Sequence, residues 1–157
     1  MNLTLRVWLV IPLIGLLMAA CSAGIPAEGE APSNSQLRIE GAWARMVPLP
    51  NGNSALYFTV VNPLDQPDHL LFVRTDAGIA EPHESVVENG VSKMLPRPGG
   101  FSVPARGTLT LDQGGKHIMV MGVPEPLAPG AVISATLTFA NAGVVQMTIP
   151  VQAEPTE

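Results

Sequence analysis

Prolines and glycines interrupt this chain so often that no convincing long helical pattern remains. The 157 residues include 16 prolines and 15 glycines, many of them in short clusters such as Pro50-Asn51-Gly52. These residues supply the fixed and the positive φ angles that tight turns require. Between the clusters lie short runs rich in β-branched and aromatic residues, such as 55–62 (ALYFTVVN), which are typical of buried strands. The pattern predicts an all-β fold.

Eight or nine short strands are expected at roughly regular spacing. Pro82 should keep its strand out of a central sheet position, because proline has no N–H to donate. With 46% apolar and 13% charged residues, the chain can bury a core. Together these features predict an antiparallel β-sandwich or a Greek-key barrel. The expected strands cover 37–46, 55–62, 69–76, 78–87, 91–95, 108–112, 116–123, 131–140 and 143–151.

The N-terminus reads as an export signal rather than as part of the fold. Residues 7–20 are uncharged and apolar, a run typical of signal peptides and shorter than the roughly 20 residues of a membrane span. The run ends in Leu-Met-Ala-Ala-Cys, which resembles the lipobox of bacterial lipoproteins, although Met18 stands where leucine is commonest. In a lipobox the cysteine, here Cys21, is lipidated and becomes the mature N-terminus. Ordinary signal cleavage and an uncleaved anchor are the alternatives.

We therefore predict four segments: a signal peptide over 1–20, a lipidated cysteine with a flexible tether over 21–36, a domain over 37–152, and a tail over 153–157. All three interpretations of the N-terminus place the domain outside the cytoplasm. The lipoprotein interpretation anchors it to a membrane, in the periplasm or at the cell surface.

Charge and cysteine content exclude several classes of function. Acidic residues outnumber basic ones 13 to 8, which argues against binding to nucleic acids. Cys21 is the only cysteine, so an intrachain disulfide is impossible. A blue-copper electron-transfer site needs a cysteine thiolate within the domain and is disfavoured for the same reason. Because the chain has no Gly-x-Ser-x-Gly motif and no obvious acid–base constellation, we expect that it is not an enzyme.

Residues 114–122 (GGKHIMVMG) carry an unusual set of side chains for one strand. Since side chains alternate between the two faces of a strand, His117, Met119 and Met121 share a face. Methionine is a common core residue, but a histidine on a sheet face must be hydrogen-bonded, solvated or bound to a ligand.

Two further residues extend this set. His83 and Met94 flank the turn signal Glu88-Asn89-Gly90, so a hairpin would bring them near each other. A neighbouring strand bearing His117 and Met119 could then complete a cluster of four ligands. Two imidazoles and two uncharged, soft thioethers favour Cu(I) over zinc, calcium or magnesium. Such a cluster also persists in an oxidising compartment, because thioethers do not form disulfides.

The spacing of these four residues resembles that of the periplasmic copper chaperones of the PCu(A)C family. The family pattern is a histidine, ten residues, a methionine, about 21 residues and then His-x-Met. In this chain the longer gap is 22 residues, and a one-residue insertion in the loop 96–107 would account for the difference. The likeness covers residues 37–152 and includes GAWAR at 41–45 and EPHE at 81–84, where Glu84 replaces a methionine found in some members.

The resemblance implies a cupredoxin-like β-sandwich that binds Cu(I) and carries it toward the copper centre of cytochrome c oxidase. It implies His83, Met94, His117 and Met119 as the ligands. The competing function is a structural or interaction β-sandwich lipoprotein without a metal, which explains the strands and the leader but not these spacings.

The sequence also supports predictions for several other residues. Met121 either packs beside the site or serves as an extra or exchange ligand. Glu84 is either solvated or orients a ligand histidine. His69, at the start of a strand, is expected on the surface, and Met46 and Met147 are expected in the core.

Overall fold

A computed structural model of the chain describes residues 36–153. The predicted signal peptide, Cys21, nearly all of the tether and the last four residues lie outside this range, so the interpretations placed on them stay predictions. No helix within residues 36–153 is long and apolar enough to cross a membrane. The described residues all lie within one compact unit.

The described range is built from β-strands, which confirms the all-β prediction. There are ten of them within residues 36–153, where eight or nine were expected. They are β1 (Arg38–Arg45), β2 (Gly52–Asn62), β3 (Asp68–Thr75), β4 (Ile79–Glu88), β5 (Val91–Pro96), β6 (Phe101–Val103), β7 (Gly107–Leu111), β8 (Lys116–Val123), β9 (Val132–Phe139) and β10 (Gly143–Gln152).

The three-residue strand β6 was not predicted, because it lies inside a segment dense in proline and glycine. Phe101 and Val103 are buried and Ser102 between them is exposed, so the alternation of a strand is present but very short. Gly100, at φ 75°, precedes this strand. A Cβ at this position would collide with the carbonyl oxygen of Leu70, so only glycine allows β6 to approach β3.

The strands form one hydrogen-bonded series in the order β5-β4-β8-β2-β1-β10-β9-β3-β6, with β7 also paired to β2. The pair of β1 and β10 is parallel and joins the two halves of the series, whereas the other strand pairs are antiparallel. Buried residues from both halves belong to a single cluster, so the sheet folds back on itself around one core. Its largest members include Leu56, Phe58, Ile118, Leu70, Leu137 and Ile149.

Pro82 lies in an inner strand, so the expectation that it excludes a central position was wrong. β4 pairs with β5 on one side and with β8 on the other. The carbonyl oxygen of Pro82 accepts a hydrogen bond of 2.7 Å from the backbone N–H of Arg97. Because the N and C=O of one strand residue point to the same side, the ring nitrogen faces the end of β5 at Pro96. No ladder bond with β8 is lost.

The β4–β5 hairpin turns at Asn89 and Gly90, as the sequence predicts. Both residues have positive φ, 54° and 77°, which is the geometry of a two-residue type I′ turn. This turn sets the register of the hairpin, in which Ser85 lies opposite Met94. His83 and Met94 therefore share a face of the sheet.

Candidate metal site

The imidazole rings of His83 and His117 lie side by side on two neighbouring strands. The two residues are directly opposite in the β4–β8 pair. Their ring centroids are 6.1 Å apart and their planes differ by 20°. Ile118 and Val120 of β8 point into the core, so His117 occupies the other face. Even so, His83 and His117 are only 8% and 4% exposed.

Each imidazole is oriented by the backbone of its own strand. Nδ1 of His83 lies 3.2 Å from the carbonyl oxygen of Glu81, and Nδ1 of His117 lies 3.0 Å from that of Gly115. A carbonyl oxygen can only accept a hydrogen bond, so Nδ1 carries the proton in both rings. A neutral ring with its proton on Nδ1 keeps the lone pair on Nε2, which is the form in which histidine binds a metal ion.

Burial lowers the pKa of His117 below its ordinary value of 6.5. Positive charge on His83 and on Arg45 also lowers this pKa, whereas the hydrogen bond to the Gly115 carbonyl and the Asp112 carboxylate raise it. Since the net direction is downward, the imidazole of His117 is neutral at pH 7.

Both predicted methionine ligands lie on the face that carries the two histidines. Met119 is opposite Glu81 in the β4–β8 pair, and Met94 is opposite Ser85 in the β4–β5 pair. These partners lie on either side of His83 along β4. Met94 and Met119 are therefore both diagonal neighbours of His83, in opposite directions along the strand. Met94, on the edge strand, is 52% exposed, and Met119 is half-buried.

All four residues predicted as ligands thus share one face of the sheet. Within residues 36–153, no three His, Cys, Asp or Glu side chains lie close enough together to hold a metal ion. A metal ion on this face would therefore depend on the thioethers beside the histidine pair. Two imidazole nitrogens and two thioether sulfurs are a neutral, soft donor set that suits Cu(I).

Glu84 does not orient a ligand histidine; its side chain is partly exposed and ion-paired. Its carboxylate lies on the opposite face from the histidines, 2.8 Å from Nε of Arg97 and 3.2 Å from Nζ of Lys116. These two hydrogen bonds lower the pKa of Glu84 below 4.5. The ion pairs link β4, β8 and the residue after β5, so Glu84 connects the three strands that carry the site.

Two aromatic side chains continue the row of rings across the sheet. Trp43 is opposite Tyr57, with ring centroids 4.6 Å apart, and the ring of Tyr57 is 6.5 Å from that of His117. Tyr57 therefore lies between Trp43 and His117, beside the imidazole ring. No sequence motif pointed to this row, because it becomes visible only once the β2–β8 register is known.

The other expectations of the sequence are met in part. His69 lies in the other half of the sheet, partly exposed, with Nε2 2.6 Å from the carbonyl oxygen of Gly99. Met46 and Met147 pack against the core, as expected. Met121 lies on the same face as Met119, opposite Ile79, and is half-buried.

Relatives in sequence point to a family of lipoproteins. Residues 37–151 match the family described as "Putative lipoprotein LpqE-like". A protein of Leifsonia xyli subsp. xyli named "Putative lipoprotein Lxx21020" is 31% identical over 143 residues, which cover 89% of this chain and 84% of that protein.

Solved structures show the same fold. The copper-bound PCuAC domain from PmoF2 matches with a TM-score of 0.61 and 26% identity, over 75% of this chain and 93% of that chain. The solution structure of CuI-DR1885 from Deinococcus radiodurans matches with a TM-score of 0.59 and 27% identity, over 78% of this chain and 83% of that chain. These matches confirm the resemblance to PCu(A)C proteins and the cupredoxin-like sandwich. The chain belongs to the LpqE-like lipoprotein family, and its domain has the PCuAC fold.

Proposed function

We propose that this protein is an extracytoplasmic carrier of Cu(I). The observation that supports this most directly is the β4–β8 register, which sets His83 against His117 with both Nε2 atoms available. Met94 and Met119 complete a set of four uncharged ligands. Copper in the PmoF2 domain and Cu(I) in DR1885 support the same assignment.

Partial exposure of the site suits a carrier that gives its metal away. Met94 is 52% exposed on an edge strand, so its thioether can leave the metal without opening the core. A neutral ligand set also leaves the single charge of Cu(I) uncompensated, which favours transfer to an acceptor with stronger or anionic ligands.

The acceptor in this proposal is a membrane-embedded copper protein, namely the copper centre of cytochrome c oxidase. Lipid at Cys21 and the tether that follows would hold the domain close to the membrane, in the periplasm or at the cell surface. Tethering raises the effective concentration of carrier near such an acceptor without adding any contact between them. Membership of a lipoprotein family supports this placement.

A Cu(I) competition titration tests the proposal. Residues 32–157, the compact unit, are titrated without oxygen against bathocuproine disulfonate, beside the Met119→Leu and His117→Ala variants. We expect the wild type to bind one equivalent tightly and each variant to bind about 100-fold more weakly or worse. Mutation of a residue that only hydrogen-bonds to a metal ligand can already lower metal affinity by about 100-fold. Met147→Leu, which changes a methionine packed against the core, should bind as the wild type does.

If the wild type binds no stoichiometric Cu(I), or if both site variants bind as it does, the carrier function is overturned. The structural or interaction lipoprotein without a metal would then be the better account of the fold.

A further inference from the structure

The face of β8 that carries His117 and Met119 continues to a third side chain, Met121. It pairs with Ile79, at the end of β4 away from the hairpin turn, and Ile79 is 67% exposed. Met121 itself is half-buried. A methionine in this position fills no core space, so packing alone does not account for a thioether here.

We propose that Met119 and Met121 form a second, weaker Cu(I) position through which the metal leaves the protein. This inference rests on the proposed function, since it needs a filled site at the histidine pair. It assigns Met121 as a handover ligand and the Ile79 end of the face as the exit.

Strand geometry separates the two positions. At about 3.3 Å per residue, the Cα atoms of Met119 and Met121 are roughly 7 Å apart, whereas those of His117 and Met121 are roughly 13 Å apart. Two flexible thioethers can therefore share one ion, and Met121 lies farther from both imidazoles than Met119 does. Met94 lies on the opposite diagonal of the site, beyond His83, and stays behind.

The step is a ligand exchange with no redox change. The bond from copper to the Met119 sulfur is kept, and a bond to the Met121 sulfur forms. The bonds to the two Nε2 atoms and to the Met94 sulfur break. Copper remains Cu(I), and the exchange itself transfers no proton. The new position has fewer ligands from this chain, so an acceptor's ligand can complete it. The exposed Glu81 places a carboxylate directly opposite Met119, which favours a cation at this end.

Transfer kinetics test the role of Met121 separately from affinity. Cu(I)-loaded residues 32–157 are mixed with bathocuproine disulfonate, and the wild type is compared with Met121→Leu and with Met147→Leu as the matched control. We expect the dissociation constant of Met121→Leu to stay within about twofold of the wild type while its transfer rate falls about tenfold, an effect equal to about 1.4 kcal/mol on the barrier. Met147→Leu should change neither.

A second measurement uses the wild type alone, with ¹³C-labelled methionine methyl groups and Ag(I) as a redox-inert substitute for Cu(I). The methyl signal of Met94 should shift with the first equivalent and that of Met121 with further Ag(I), while Met147 stays unchanged. A Met121 signal that never moves, or an unchanged transfer rate in Met121→Leu, overturns the handover position. Failure of the first equivalent to bind at all would instead overturn the copper-carrier function itself.

Discussion

At the scale of the residue, the site depends on the hydrogen bonds between two histidine rings and the backbone. Each ring donates from Nδ1 to a backbone carbonyl two residues earlier in the chain. The strand therefore sets the tautomer as well as the ring orientation, and no other side chain is needed for either. Burial beside Tyr57 and His83 then lowers the pKa of His117, which keeps the ring neutral and ready for metal.

This lowered pKa predicts the pH dependence of Cu(I) binding. Protons compete with copper for imidazole only as the pH falls below 6.5, the ordinary value, toward the lowered pKa of His117. The apparent Cu(I) affinity should be constant from about pH 8 to about pH 6.5 and should decrease below that. Competition titrations across this range measure it. Met119→Leu should bind Cu(I) more weakly at every pH with the same pH profile, because thioethers do not titrate.

An affinity that is flat from about pH 8 to about pH 5 would contradict histidine ligation.

At the scale of the element, three strands have to stay in register for the four predicted ligands to share one face. β5 is an edge strand that pairs only with β4, so the position of Met94 depends on the hairpin. Glu84 supports that hairpin from the other face of the sheet, through its ion pairs with Arg97 and Lys116. One carboxylate thus connects all three strands that carry the predicted ligands.

Removal of this carboxylate should lower stability in a pH-dependent way. The pKa of Glu84 is lower in the fold than the value of 4.5 expected when unfolded, so its stabilising effect is present above that pH and is lost as the pH falls through the lowered pKa. Glu84→Gln should reduce the free energy of unfolding by about 1 kcal/mol at neutral pH, a size typical of partly exposed pairs. Urea unfolding at neutral and at strongly acidic pH measures the difference, which should vanish in acid.

The matched control for this prediction is Glu88→Gln in the same hairpin. It removes an ion pair with Lys93 in which both side chains are more than half exposed. Its effect should be smaller, about 0.5 kcal/mol or less. An equal loss of stability in Glu84→Gln at both pH values would mean that the carboxylate acts by packing and not by charge.

At the scale of the whole molecule, the described residues are organised around one core. Both halves of the strand series contribute to the same buried cluster, so the site face is carried by a single rigid support rather than by a boundary between domains. The site lies outside that core, on the opposite face of β4 and β8. Binding and release of a metal therefore need no change in the packing of the interior.

The predicted lipid anchor is tested by Cys21→Ser in the full chain. The wild type should separate with membranes and incorporate labelled fatty acid, and the variant should do neither, because a serine cannot form the thioether link to lipid. Ser22→Ala, one residue further on, should behave as the wild type. A wild type released without lipid would indicate ordinary signal cleavage, and membrane retention of Cys21→Ser without lipid would indicate an uncleaved anchor.

The local features of this protein were determined by the sequence itself. The period of two along β8 put His117, Met119 and Met121 on one face, and Asn89-Gly90 predicted the hairpin that carries His83 and Met94. These predictions succeeded because side-chain alternation and turn geometry are properties of a few consecutive residues.

Only the tertiary structure decided how those segments meet. The pairing of β4 with β8 places His83 opposite His117. Pro82 can occupy an inner strand because its ring nitrogen faces the end of β5, and Arg97 and Lys116 become the ion-pair partners of Glu84. Each of these outcomes depends on residues far apart in the chain. The register between distant strands is set when whole strand faces are buried against one core. The residue pattern of a single strand does not specify that register.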